Sequence, residues 1–284
     1  MNTQAPTALE WEVNGLRLAG LSWGEAGARP VLALHGWLDN AASFSMLAPL
    51  LTQHHVVAVD LSGHGMSAQR SPDATYQIWD DLPELLGVLE GLGWQRFALM
   101  GHSRGAVIAS LLASVITERV ERLVLLDGVV PREVGEDQFP RQLRKFLDEK
   151  RHWQQRNNRV YNSIDAAAAS RTGTSPSPAA ARVLVERNLR PCEVGYTWTT
   201  DLRLRGASAV KMTGGQIEAV LDALTMPTLL LLAQEGFGKH PGILDQARRH
   251  IRGLEVEVMA GGHHFHMEPG VATVAQRIGA FLQR

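Results

Sequence analysis

Five short apolar runs punctuate this chain: Pro30–Leu34 (PVLAL), Val56–Asp60 (VVAVD), Phe97–Met100 (FALM), Leu123–Leu126 (LVLL) and Thr228–Leu232 (TLLLL). A strand with one face in water alternates apolar with polar residues. Runs that are apolar at consecutive positions instead fit the middle of a sheet covered on both faces. Leu16–Trp23 and Leu254–Met259 read as further strands. Ala41–Leu51, Gln77–Leu92, Ala106–Ile116 and Val271–Leu282 read as helices. Strands alternating with helices predict an α/β fold, a mostly parallel twisted sheet with helices on both faces. In such sheets ligands gather beyond the carboxyl ends of the strands. Chemistry is therefore sought in the residues that follow each run.

The alternation stops after Leu126 and resumes only at Thr228. Between them lie the arginine-rich RQLRKFLDEKRHWQQRNNR, an alanine-rich run and the loop-like RTGTSPSPAAA, with helical periodicity but no clear strand. The expected organisation is a core of residues 1–129 and 223–284, with a helical lid of residues 130–222 inserted across the carboxyl edge of the sheet. Its arginines read as solvated helix faces.

With 284 residues, 45% of them hydrophobic and 20% charged, the chain can bury one large core with an insertion. A net charge of −1 and a pI near 6.8 argue against a nucleic-acid or anionic-membrane partner. No apolar run approaches the ~18 residues of a membrane span. The single Cys192 cannot form an internal disulfide, and MNTQAPTALEWEVNG lacks the basic-then-apolar pattern of a signal peptide, so a cytoplasmic location is expected. No metal-ligand spacing, dinucleotide glycine motif or phosphate loop is seen, so neither metal nor cofactor is expected. Oligomeric state is not legible.

Phe97–Val107 reads FALMGHSRGAV, a Gly-x-Ser-x-Gly between a strand-like and a helix-like run. Alone it is as good a connecting turn as a nucleophile elbow. Three other turns fall on the same sheet edge: His35-Gly36-Trp37-Leu38-Asp39-Asn40, Leu61-Ser62-Gly63-His64-Gly65-Met66-Ser67, and Gly261-Gly262-His263-His264-Phe265-His266-Met267-Glu268. Together, HGWLDNAASF, DLSGHGMS, GHSRGA, RVERLVLLDG and HHFHME resemble the α/β-hydrolase fold superfamily, and within it the serine hydrolase-like branch. The resemblance spans the chain outside the inserted stretch.

That resemblance implies roles for particular residues. Ser103 would be the nucleophile, needing a base to take its proton as it attacks an acyl carbon. The pattern H-x-x-H-[LM]-E makes His263 the base, with His264 as the fallback and His266 structural. The oxyanion donors would be the backbone N–H groups of Arg104 and Trp37. The triad acid is Asp127, after Leu123–Leu126, or alternatively Glu235, after TLLLLA, the superfamily's commoner place. Asp39 is the expected partner of the Arg104 guanidinium. Asp60 and His64 read as structural hydrogen-bonding groups, and Trp153, Tyr196 and Trp198 as anchors of the lid. The Trp37 indole lines a pocket or covers core. The expected activity is hydrolysis of a small or medium acyl substrate, most simply a carboxylic ester, through an acyl-enzyme. A carbon–carbon bond hydrolase, a lactonase, a perhydrolase, or a binding or signalling member with negligible turnover would use the same residues.

Overall fold

The computed structural model describes residues 5–172, 176–236 and 241–284; residues 173–175 of RTGTSPSPAAA lie outside the described residues. In chain order its elements are β1 (Thr7–Val13), β2 (Leu16–Trp23), β3 (Arg29–Leu34), β4 (His54–Asp60), α1 (Asp81–Leu92), β5 (Phe97–His102), α2 (Arg104–Val115) and β6 (Val120–Leu126). There follow α3 (Phe139–Gln154), β7 (Val160–Tyr161), α4 (Ile164–Ala169), α5 (Pro178–Asn188), β8 (Leu189–Cys192), β9 (Gly195–Trp198) and α6 (Gly214–Asp222). The last are β10 (Thr228–Ala233), α7 (Pro241–His250), β11 (Glu255–Met259) and α8 (Val271–Leu282).

Eight strands form one sheet in the order β1-β2-β4-β3-β5-β6-β10-β11. β1 and β2 are antiparallel, and β4 onward are parallel. Period-two alternation divides the central strands between two cores. Leu32, Leu34, Val57, Val59, Leu99 and Leu125 face the helices α1 and α2. Val31, Ala33, Val56, Ala58, Met100 and Leu126 face Phe44 and the α8 residues Ile278 and Phe281. Both faces are dry, which is why these runs carry no polar alternation.

Two local expectations change. Ala41–Leu51 is two single 3-10 turns, Ala41–Phe44 and Ala48–Leu50, instead of one helix. Pro49 lacks the N–H that would continue an α-helix. The helix expected from Gln77 begins as α-helix at Asp81, because Gln77 and Asp80 close a capping box around a 3-10 turn, Ile78–Asp80.

The inserted stretch between β6 and β10 does contain strands, contrary to expectation. β7, β9 and β8 form an antiparallel three-stranded sheet. Strands of two to four residues, one containing Pro191, are too short to display a period of two.

Candidate active site

Ser103 stands between β5 and α2 with φ 53° and ψ −117°, a strained conformation for a residue with a side chain. The glycines on either side make the turn possible. A Cβ on Gly101 would stand 2.3 Å from the Gly105 carbonyl oxygen, and one on Gly105 would stand 2.1 Å from that of Leu34. The Ser103 N–H is anchored on the Leu126 carbonyl at 2.9 Å. Immediately after it α2 begins, its Ala106 and Val107 N–H groups donating to the Ser103 carbonyl at 3.0 and 3.2 Å.

Asp127 follows β6, also with positive φ (49°), and is fully buried. Its Oδ1 accepts from the Ala233 N–H at 3.0 Å and its Oδ2 lies 2.6 Å from His263 Nδ1. The chain leaves β10 so close to this carboxylate that a Cβ at Gly236 would be 2.1 Å from Oδ2. Glu235 is exposed on the turn just before it. The His263 main chain is itself held, since His102 Nε2 donates to the His263 carbonyl at 2.9 Å.

The neighbouring histidines occupy other environments. His264 Nε2 lies 3.2 Å from Asp39 Oδ2. His266 is fully buried against Phe44, and neither ring nitrogen has a partner among the described residues. Burial, reinforced by the nearby His264 and His263, lowers its pKa well below the usual imidazole value. Burial does the same to His102 and His64. His35 is neutral by construction: the Leu61 N–H donates to Nε2 (3.0 Å), so Nδ1 carries the proton and donates to the Gly36 carbonyl (2.8 Å).

The Arg104 guanidinium does not reach Asp39. Its side chain reaches the start of α1 and donates to Asp81 Oδ2 at 2.9 Å, beside Arg70 on Oδ1 at 3.2 Å. Asp39 is taken instead by Arg171 from the inserted stretch, at 2.7 Å. Burial would raise the Asp39 pKa, but the His264 hydrogen bond and the charges of His264 and Arg171 outweigh it and hold the carboxyl well below its ordinary range.

Asp60, fully buried, accepts from the N–H groups of Ala41 (2.7 Å) and Met66 (2.9 Å) and pairs with Arg187 of α5 at 2.8 Å. His64 donates from Nδ1 to the Ser62 carbonyl at 3.1 Å. Sequence reasoning read Arg171 and Arg187 as solvated and missed Asp81. Their partners lie 132, 127 and 23 residues away, with no local signal connecting them.

Two cavities open at Ser103. One of about 460 Å³ is bounded by Trp37, Asp39, Arg171, His263 and His264. The other, about 520 Å³, is walled by apolar side chains including Val107, Leu204, Met212, Leu230 and Leu232. Trp37 borders both, and its Nε1 donates to the Leu204 carbonyl at 2.9 Å. Trp198 packs edge-on against Tyr161 in the small apolar cluster of the inserted stretch, and Trp153 lines a separate surface groove.

The alpha/beta hydrolase fold family model matches residues 29–269 of this chain. The chain belongs to that family. A serine hydrolase-like protein of Danio rerio is 33% identical to this chain over 281 residues, covering 94% of this chain and 85% of that protein. One of Dictyostelium discoideum is 31% identical over 276 residues, covering 89% and 75%. The crystal structure of a hypothetical protein from Pseudomonas aeruginosa PAO1 superposes on the hydrolase with a TM-score of 0.93 at 36% identity, covering 98% of this chain and 99% of that one.

Proposed function

We propose that this α/β hydrolase is a serine hydrolase that cleaves a carboxylic ester through an acyl-enzyme on Ser103. The observation that carries the reading is the buried Asp127 carboxylate 2.6 Å from His263 Nδ1, in a histidine that shares a cavity wall with Ser103. A carboxylate on Nδ1 leaves Nε2 as the basic nitrogen and stabilises the imidazolium formed when it takes a proton. In this mechanism His263 removes the Ser103 proton as Oγ attacks the carbonyl carbon. The N–H groups of Arg104 and Trp37 receive the developing oxyanion. His263 then protonates the departing alcohol, and water, deprotonated by the same imidazole, releases the acid. Residues 130–222 serve as the lid, contributing Leu204, Val210 and Met212 to the apolar wall.

A fluorophosphonate probe followed by peptide mass spectrometry tests this directly. Label is expected on Ser103, with none on Ser103→Ala and none on His263→Ala. Folded wild-type protein that takes no label, or takes it elsewhere, would sink the reading.

A further inference from the structure

The two cavities that meet at Ser103 differ in what they can accept. The departing alcohol must receive its proton from His263, so it occupies the cavity that His263 borders. The acyl chain is left with the larger, apolar cavity, among whose described lining residues His263 is absent. This assignment rests on the serine hydrolase reading above.

The larger cavity is apolar in its walls but not electrically neutral. None of its described lining residues is Asp or Glu, whereas Arg104, Arg132, Arg205 and Lys211 all border it. Arg104 is committed to Asp81. Arg132, Arg205 and Lys211 take part in no ion pair within 4.0 Å among the described residues. Arg205 lies over the Trp37 ring, 5.9 Å from its centre. Burial first, and then the Arg171 charge, lower its pKa, as befits a cation lacking a counter-ion. The wider charge distribution has the same sense: residues 130–222 hold 15 Lys and Arg against 11 Asp and Glu, and the rest of the chain 13 against 18. A positive layer over a negative core draws anions to the cavity mouth.

We propose that the acyl chain ends in an anionic group and that the enzyme hydrolyses half-esters of dicarboxylic acids. The apolar wall receives the methylenes, and Arg132, Arg205 and Lys211 receive the distal carboxylate. Ser103 Oγ bonds to the ester carbonyl carbon as its C–O bond to the alcohol breaks, and the alcohol leaves with the proton held by His263. Water then adds to the acyl carbon, the Ser103 ester breaks, and the serine recovers its proton through His263. Half-ester and water become dicarboxylic acid and alcohol.

The test compares two 4-nitrophenyl esters of equal chain length, one ending in a carboxylate and one in a methyl group, by kcat/KM at low salt. The carboxylate ester is expected to be favoured roughly 10-fold, from about 2-fold at each of three exposed cations. Raising the ionic strength to about 0.5 M should shrink the ratio as screening shortens. In Arg132→Gln/Arg205→Gln/Lys211→Gln the ratio should approach one, and an ester ending in trimethylammonium should fall below the methyl-ended one. A wild-type ratio at or below one, or a ratio indifferent to salt, with the methyl-ended ester hydrolysed and Ser103 labelled, would overturn this inference alone. Failure to hydrolyse either ester, with Ser103 unlabelled, would overturn the serine hydrolase reading and this inference with it.

Discussion

Mild acid should destabilise this protein through its buried histidines. His64, His102 and His266 are fully inaccessible, and burial holds the pKa of each well below 6.5. In the unfolded chain the same imidazoles titrate normally. Below pH 6.5 the unfolded state therefore binds protons that the folded state refuses, and stability falls as the pH drops. Each such group costs on the order of 1 kcal/mol between pH 7 and pH 5.5, so the three together remove a few kcal/mol of the ~5–15 kcal/mol that holds a domain together. His35 adds in the same direction. The Asp39 carboxyl, held low, keeps its contribution in this window and loses it only at far lower pH. Urea denaturation at the two pH values measures the difference, and His266→Leu, which removes a ring with no hydrogen-bond partner among the described residues, should reduce it by about a third. A loss below about 1 kcal/mol in the wild type would refute the reasoning, because the buried rings would then be titrating as they do in water.

Asp127→Asn should lower ester turnover on the order of 10⁴-fold with the fold intact, whereas Glu235→Gln, at an exposed position, should be mild; steady-state kinetics of both variants decides between the two acids. Gly236→Ala should displace the Asp127 carboxylate, since the added carbon would stand 2.1 Å from Oδ2, and cut turnover by roughly 10²-fold or more; wild-type kinetics would show that the turn yields instead. Arg104→Met should destabilise the protein by about 1–3 kcal/mol in thermal denaturation, because Asp81 loses a buried partner. It should still be labelled by fluorophosphonate, because the proposed mechanism uses only the Arg104 backbone N–H and its guanidinium is paired with Asp81; loss of labelling in folded protein would give the guanidinium a catalytic role.

What the sequence reveals and what it hides follow from range. The turn around Ser103 is legible because its requirements are met within five residues: small neighbours where backbones touch, a strand before and a helix after. The central strands are legible because each is dry on both faces. Choosing between Asp127 and Glu235 is not possible from spacing, since both follow a strand and both precede His263 in the chain. What separates them is tertiary: Asp127 Oδ2 lies 2.6 Å from His263 Nδ1, while Glu235 is exposed. The destination of the Arg104 side chain is hidden for a similar reason. Asp39 lies on the loop after β3 and Asp81 at the start of α1, and no local pattern in the sequence decides between them. The short strands of the inserted stretch escape because a two-residue strand has no periodicity to read.

The pairs Arg171–Asp39 and Arg187–Asp60 limit how this molecule can be recombined. In each, the cation belongs to the inserted stretch and the carboxylate to the core, where it is nearly or fully buried. A chimera carrying another hydrolase's cap would leave both carboxylates without their cations, at ~3–5 kcal/mol for each broken pair. Asp60 also organises two loops of the core, through Ala41 and Met66. Such a graft would therefore disturb two core loops as well as the contacts of the inserted stretch. Exchange of the inserted stretch should carry these four side chains as one unit.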